Sequence, residues 1–126
     1  MPENNLSLGK KGEDIALDFL KKNGYGIIKR NYRTKLGEID IIAREKDTLC
    51  FIEVKTRSSL RFGSPKEAVF PSKQRQISKV ALTFLKEHKF MNEKSRFDVV
   101  CISGASGTQK IELLKNAFEL EPYFSY

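Results

Sequence analysis

The chain has 126 residues, of which 40% are hydrophobic and 31% charged, with a net charge of +7. That length suits one domain, 1–126, built on one core, and the balance of residue types excludes a disordered chain. No apolar run approaches the roughly 20 residues of a membrane span, and Met1-Pro2-Glu3-Asn4-Asn5 lacks the basic-then-apolar order of a signal peptide, so cytoplasmic residence is expected.

Residues 1–7 read as a loose arm. From 8 to 23, Ile15, Ala16, Phe19 and Leu20 recur at helical spacing and Gly24 stops the run. Glu13 precedes Ala16, Leu17 and Leu20 by three, four and seven residues, which sets it along the inward side of that helix. Three strands follow, at 25–32, 38–44 and 48–56. Only Glu45-Lys46-Asp47 separates the last two, which predicts an antiparallel hairpin. Strand parity puts Glu38, Asp40 and Ile42 on one face, and Leu49, Phe51, Glu53 and Lys55 on one face of the next strand. If the two faces coincide, Asp40, Glu53 and Lys55 converge.

A link from Arg57 to Pro71 is long enough, for a compact domain, to suggest function. A second helix is expected over 72–89, with Ile77, Val80, Ala81, Phe84, Leu85 and His88 as its buried stripe. A strand over 97–103, a turn at Gly104-Ala105-Ser106-Gly107 and a strand over 110–115 complete the order, with a tail at 117–126. The order α-β-β-β-α-β-β and the near-continuously apolar strands predict an α/β sandwich, a central mixed sheet flanked by helices. Cys50 and Cys101 lie among apolar neighbours and read as buried free thiols. With His88 the only histidine, a zinc site of the usual type is excluded.

Charges on buried strands need partners, a metal or a chemical task, because desolvating an isolated charge is very costly. Asp40 and Glu53 fit a Mg²⁺ or Mn²⁺ ion, which takes hard oxygen ligands and keeps several waters, and the Val54 carbonyl offers a third oxygen. Lys55, on the Glu53 face, is suited to orienting a water and offsetting transition-state charge. Glu13 reads either as a holder of a second metal or metal-bound water, or as an acidic group favoured in a first helical turn. A buried salt-bridge cluster of Asp40, Glu53 and Lys55 is the structural alternative. Glu38 shares the Asp40 face and is expected at the strand entrance, partly exposed.

The excess of positive charge flanks these acids. Lys29, Arg30, Arg33 and Lys35 come before Asp40, while Arg57, Arg61, Lys66, Lys73 and Arg75 come after Glu53. Arg33, Lys35, Arg57, Arg61, Lys66, Lys73 and Arg75 are the expected nucleic-acid contacts, with Phe62 and Phe70 interleaved. The other reading of the link is a polar lid whose phenylalanines pack on the core. Lys73 and Arg75 open a helix whose free N–H groups also favour phosphate. Asp98 reads as support for the site or as a partner for a neighbouring Arg or Lys, and His88 as a helix-end residue. No Ser/His/Asp or Cys/His nucleophile arrangement or glycine-rich phosphate loop is present.

Gly9-Lys10-Lys11-Gly12-Glu13 with Ala16, Asn31-Tyr32-Arg33, Gly37-Glu38-Ile39-Asp40-Ile41-Ile42-Ala43, Phe51-Ile52-Glu53-Val54-Lys55-Thr56-Arg57, Phe62-Gly63-Ser64-Pro65-Lys66-Glu67-Ala68-Val69 and Arg96-Phe97-Asp98-Val99-Val100 together resemble the YraN family of bacterial proteins. That family is endonuclease-like, in the PD-(D/E)XK or restriction-endonuclease-like superfamily, and distantly similar to archaeal Holliday junction resolvases. The resemblance spans roughly residues 9–120. It implies a restriction-endonuclease-like sandwich, with Asp40, Glu53 and Lys55 as the catalytic core and Glu13 as the acid on the first helix. It implies a Mg²⁺- or Mn²⁺-dependent endonuclease acting on branched or structured DNA, and a homodimer as in the resolvases. Ile39 stands where the superfamily motif has proline. The competing expectations are a non-catalytic nucleic-acid-binding module on the same fold, and an interaction protein with a buried ionic cluster.

Overall fold

Apolar side chains repeat at helical spacing in two segments and at strand spacing in five, and the chain folds accordingly. The structure is a computed structural model that describes residues 5–57, 69–104 and 107–119. Helix α1 covers Asn5–Lys22. Strands β1 (Gly26–Thr34), β2 (Gly37–Glu45) and β3 (Thr48–Arg57) follow, then α2 (Pro71–Glu87), β4 (Lys94–Ser103) and β5 (Lys110–Phe118).

The five strands form one sheet in sequence order. Tight turns make β1–β2–β3 an antiparallel meander, as the short Glu45-Lys46-Asp47 link requires. The connection through α2 returns the chain to the same end, so β4 lies parallel to β3, and β5 closes antiparallel on β4. The sheet is therefore mixed. α2 covers one face, where Val80, Ala81, Phe84 and Leu85 meet Ile42, Leu49, Phe51, Phe97 and Val99. α1 covers the other, where Ala16 and Leu20 meet Ile41, Ala43, Cys50, Ile52, Val100 and Ile102. The α/β sandwich expected from the element order is the one observed.

The differences are local. β4 begins at Lys94 and β5 runs on to Phe118, whose ring stacks on Phe97 at 4.5 Å. His88 does not join the buried stripe. It is exposed, caps the C-terminus of α2 and stacks on Phe84 at 4.0 Å, because the helix ends there and Lys89 turns left-handed. Both thiols are free and buried, and burial pushes Cys50 up to about 12. Gly12 lies against the end of β3: a Cβ there would lie 2.3 Å from Thr56 Cγ2. The missing side chain lets the helix settle on the end of β3 and brings the next residue, Glu13, toward the same end of the sheet.

Candidate functional site

The β2–β3 ladder runs from Glu45↔Thr48 to Ile41↔Ile52 and stops. The next residues in that register are Asp40 and Glu53. Past the ladder, Asp40 Oδ2 accepts the Val54 N–H at 2.8 Å, so a carboxylate does the work of a strand carbonyl. The sheet opens here into a cleft of about 270 Å³ lined by Asp40, Glu53, Val54, Lys55, Phe70 and Lys73.

β3 alternates regularly. Leu49 and Phe51 face α2 and Cys50 and Ile52 face α1, so Glu53 points to the α2 side. There the first turn of α2 delivers Lys73, whose Nζ lies 3.4 Å from Glu53 Oε2. The Glu53 side chain is 12% exposed. Its pKa is pushed well above the usual carboxylate range, first by burial and then by Asp40 beside it, against the pull of Lys73. Two carboxylates thus share a half-closed space, and among the described residues the ion pair to them is that of Lys73. Lys55 is exposed at the rim.

β2 does not keep the strict alternation expected from its sequence. Ile39 and Ile42 both pack in the α2 layer, with Ile41 in the α1 layer. β1 breaks in step. Arg30 reaches α1, with Nη2 2.5 Å from Asp14 Oδ1, whereas Tyr32 packs toward α2. The pairs Arg30↔Ile41 and Tyr32↔Ile39 put Asn31 opposite Asp40, and Asn31 has φ 54°. The double break frees Asp40 from either layer and turns its carboxylate toward β3. For the same reason Glu38 does not simply share the Asp40 face. It is 34% exposed at the start of β2 and pairs with Arg33.

Glu13 comes from the helix side, with its side chain 21% exposed and Oε1 3.7 Å from Arg30 Nε. Oε1 is buried without a hydrogen-bond partner among the described residues. Burial raises the Glu13 pKa, Asp40 adds to the rise, and Arg30 and Asn31 oppose it. Glu13 and Asp40 therefore feel one another, yet among the described residues no three acidic, histidine or cysteine side chains converge on one point. The donor set that fits a hard cation is Asp40, Glu53 and the Val54 carbonyl, and for Mg²⁺ two carboxylates with water suffice.

Of the expected nucleic-acid contacts, Lys73 lies inside the cleft, and Lys35 and Arg75 are exposed near its end of the fold. Arg33 is 76% exposed and Arg57 ends β3. Arg61, Lys66 and Phe62 lie outside the described residues. Phe70, 66% exposed, stands at the mouth with its backbone fixed by the Gln74 N–H and by Pro71. The Lys73–Glu53 pairing was missed from sequence, because only the α2 crossover brings those residues together.

Asp98 belongs elsewhere. It is fully buried on the α1 side and accepts Arg96 Nε at 2.9 Å, the Tyr25 hydroxyl at 3.0 Å and the Asn116 N–H at 2.9 Å. Arg96 Nη2 also donates to Glu45 at 2.6 Å, and Lys115 completes the Glu45 carboxylate at 2.9 Å.

Fold and cleft define a mixed α/β sandwich whose sheet opens over a carboxylate pair. The chain belongs to the uncharacterised protein family UPF0102, whose model matches residues 12–102. UPF0102 proteins from Geobacter metallireducens and Geotalea daltonii are 48% and 51% identical to it, covering 95% and 92% of this chain and 98% and 92% of their own. One from Caldicellulosiruptor saccharolyticus is 50% identical over 91% of this chain and 99% of its own. Among solved structures, Pyrococcus furiosus SfsA in complex with Ca²⁺ aligns with a TM-score of 0.39 and 14% identity, over 85% of this chain and 62% of that one.

Proposed function

We propose that this protein is a Mg²⁺- or Mn²⁺-dependent endonuclease of the PD-(D/E)XK kind, hydrolysing phosphodiester bonds in branched or structured DNA. The observation that carries the reading is the Asp40–Glu53 pair, set opposite each other where β2 leaves β3, with Lys55 and Lys73 lining the same cleft. Among the described residues one lysine, 3.4 Å from Glu53, pairs with the two close carboxylates, whereas a buried ionic cluster built for stability would match them charge for charge.

Asp40, Glu53 and the Val54 carbonyl would hold the ion. A bound divalent cation lowers the pKa of a water and offsets charge on the phosphate. The Val54 N–H fixes the Asp40 carboxylate, so one ligand is oriented before any ion arrives. Lys55 orients the attacking water and balances developing negative charge. Glu13 accepts a proton or hydrogen bond from water on the helix side. Lys73 pairs with Glu53 at 3.4 Å and would turn to the phosphate once Glu53 holds the ion. Lys35, Arg57 and Arg75 lead the backbone in, and the exposed Phe70 ring offers a face on which an unpaired base stacks.

Among the described residues no helix is long and apolar enough to cross a membrane. Cytoplasmic residence belongs to the same proposal, and a homodimer enters it through the resolvase resemblance.

The test is cleavage of labelled junctions, flaps, duplexes and single strands in Mg²⁺ or Mn²⁺. Wild-type protein is expected to cut at least one, Glu53→Ala to cut none, and Lys55→Ala to lose roughly a hundredfold or more. Cleavage undiminished in Glu53→Ala, or none by clean wild-type protein, overturns the reading. Salt-dependent binding that persists in EDTA without cleavage instead supports the non-catalytic binding module.

A further inference from the structure

We propose that the turn between β1 and β2 is a wedge, with Leu36 at its tip, that enters the opened base stack at a branch point of DNA; the proposal rests on reading the cleft as a nucleic-acid site. Lys35 and Leu36 form the turn, which the Thr34↔Gly37 pair closes. The Leu36 N–H donates to Thr34 Oγ1 at 3.0 Å, so the turn is held by its own residues. A large apolar side chain, 50% exposed, thus stands at the projecting end of a hairpin, where small and polar residues are the rule.

Two routes through the fold place this tip beside the cleft. Along β2, Gly37 comes three residues before Asp40, about 10 Å at the usual strand rise. On the α2 side, a Cβ at Gly37 would lie 2.8 Å from the Gln76 side chain, and φ 146° there also favours glycine. Gln76 follows Lys73 by one helical turn and lies on the same side of α2. The bare Gly37 backbone therefore lets the turn lean on the helix that carries the lysine of the cleft.

One exposed leucine says little by itself. This one sits among exposed cations, with Lys35 in the turn, Arg33 just before it and Arg75 beside Gln76. Phe70, a second exposed apolar side chain, stands at the mouth of the same cleft. Cations hold a phosphate backbone without favouring a branch over a plain duplex. An apolar wedge does favour it, because parting two bases costs least where their stacking is already broken. Leu36 thereby confers preference for branched over linear DNA. The 10 Å from the turn to Asp40 spans about three nucleotides of one strand, so the bond brought to the cleft lies within about three nucleotides of the branch.

The test compares a three-way junction carrying 2-aminopurine at the branch with a linear duplex of the same sequence, both in EDTA so that the metal site takes no part. Wild-type protein is expected to bind the junction more tightly and to raise the 2-aminopurine fluorescence as the base unstacks. Leu36→Ala is expected to melt like wild type and to lose the fluorescence rise. It should bind the junction roughly tenfold more weakly, the worth of partly burying a leucine, with duplex binding unchanged. Leu36→Met should keep both the preference and the fluorescence rise. Lys35→Ala should weaken binding to the two DNAs alike and lower the salt slope by about one. Binding of neither DNA by wild type, equal binding of the two, or an equal loss on both in Leu36→Ala overturns the wedge. So does a preference and fluorescence rise that survive in Leu36→Ala. None of these outcomes touches the metal reading, which cleavage with the Glu53→Ala control decides separately.

Discussion

Two places in this sheet put a pair of carboxylates on apolar strands, and they are treated in opposite ways. Around Asp98 and Glu45, each carboxylate is matched by Arg96 or Lys115, and Tyr25 and the Asn116 N–H take up remaining lone pairs. Glu45 is held below the usual carboxylate range by Lys115 and Arg96. Around Asp40 and Glu53 the cation paired among the described residues is Lys73, and Glu53 is forced upward by burial and by its neighbour. Burial of an acid therefore says little by itself. A closed, neutral network ties β2, β4, β5 and Tyr25, the residue before β1, together, whereas the Asp40–Glu53 pair lines an open cleft, which on the proposed reading takes a cation.

The largest expected effect breaks the closed network. Asp98→Ala strands the Arg96 guanidinium and is expected to cost about 3–5 kcal/mol, read by urea denaturation in EDTA. Glu53→Gln should behave in the opposite way. It leaves the metal-free protein as stable as wild type or more so at neutral pH, and abolishes the rise in melting temperature that Mn²⁺ gives by mass action. A loss of stability like that of Asp98→Ala would make the two regions alike and sink the contrast.

The pH dependence sharpens the same contrast. The folded protein keeps the Glu53 proton at pH values where the unfolded chain, at about 4.5, has released it. Metal-free stability should therefore fall as pH rises from the ordinary carboxylate value through the raised folded value. Saturating Mg²⁺, or Glu53→Gln, should flatten that fall. Next in size, Lys73→Met removes the cation that opposes the shift, and should displace the fall to higher pH with the fold intact. The smallest effect belongs to Arg33→Ala. Its exposed pair with Glu38 should contribute within about 0.5 kcal/mol, and a larger loss would mean that the rim of the cleft is structural.

Sequence pattern carried the strands and the hairpin, because alternation and a three-residue link are local properties; Asp40, Glu53 and Lys55 do line one cleft, though the face-sharing expected for Asp40 and Ile42 is not kept. It also placed Glu13 on the inward side of α1 and the thiols in the core. It did not carry Lys73 into the cleft, since the partner lies across the α2 crossover. Nor did it disclose the break at Asn31 and Asp40, where the periodicity that makes strands readable fails on both strands at once. Asp98 offered two readings, and only the positions of Tyr25, Glu45 and Lys115, far away in the chain, decide for the ionic network.

Two left-handed asparagines, Asn31 in β1 and Asn116 in β5, have one more consequence. β1 and β5 are the sheet's outer strands, and each presents a row of backbone groups on which a foreign strand could add. A left-handed residue interrupts that row at Asn31 and again at Asn116, and register shifts lie between Ile27 and Lys29 and opposite the Phe97–Val99 stretch. These irregularities leave both margins crooked. Margins so interrupted give a foreign strand less to pair with and guard against stacking edge to edge into fibres.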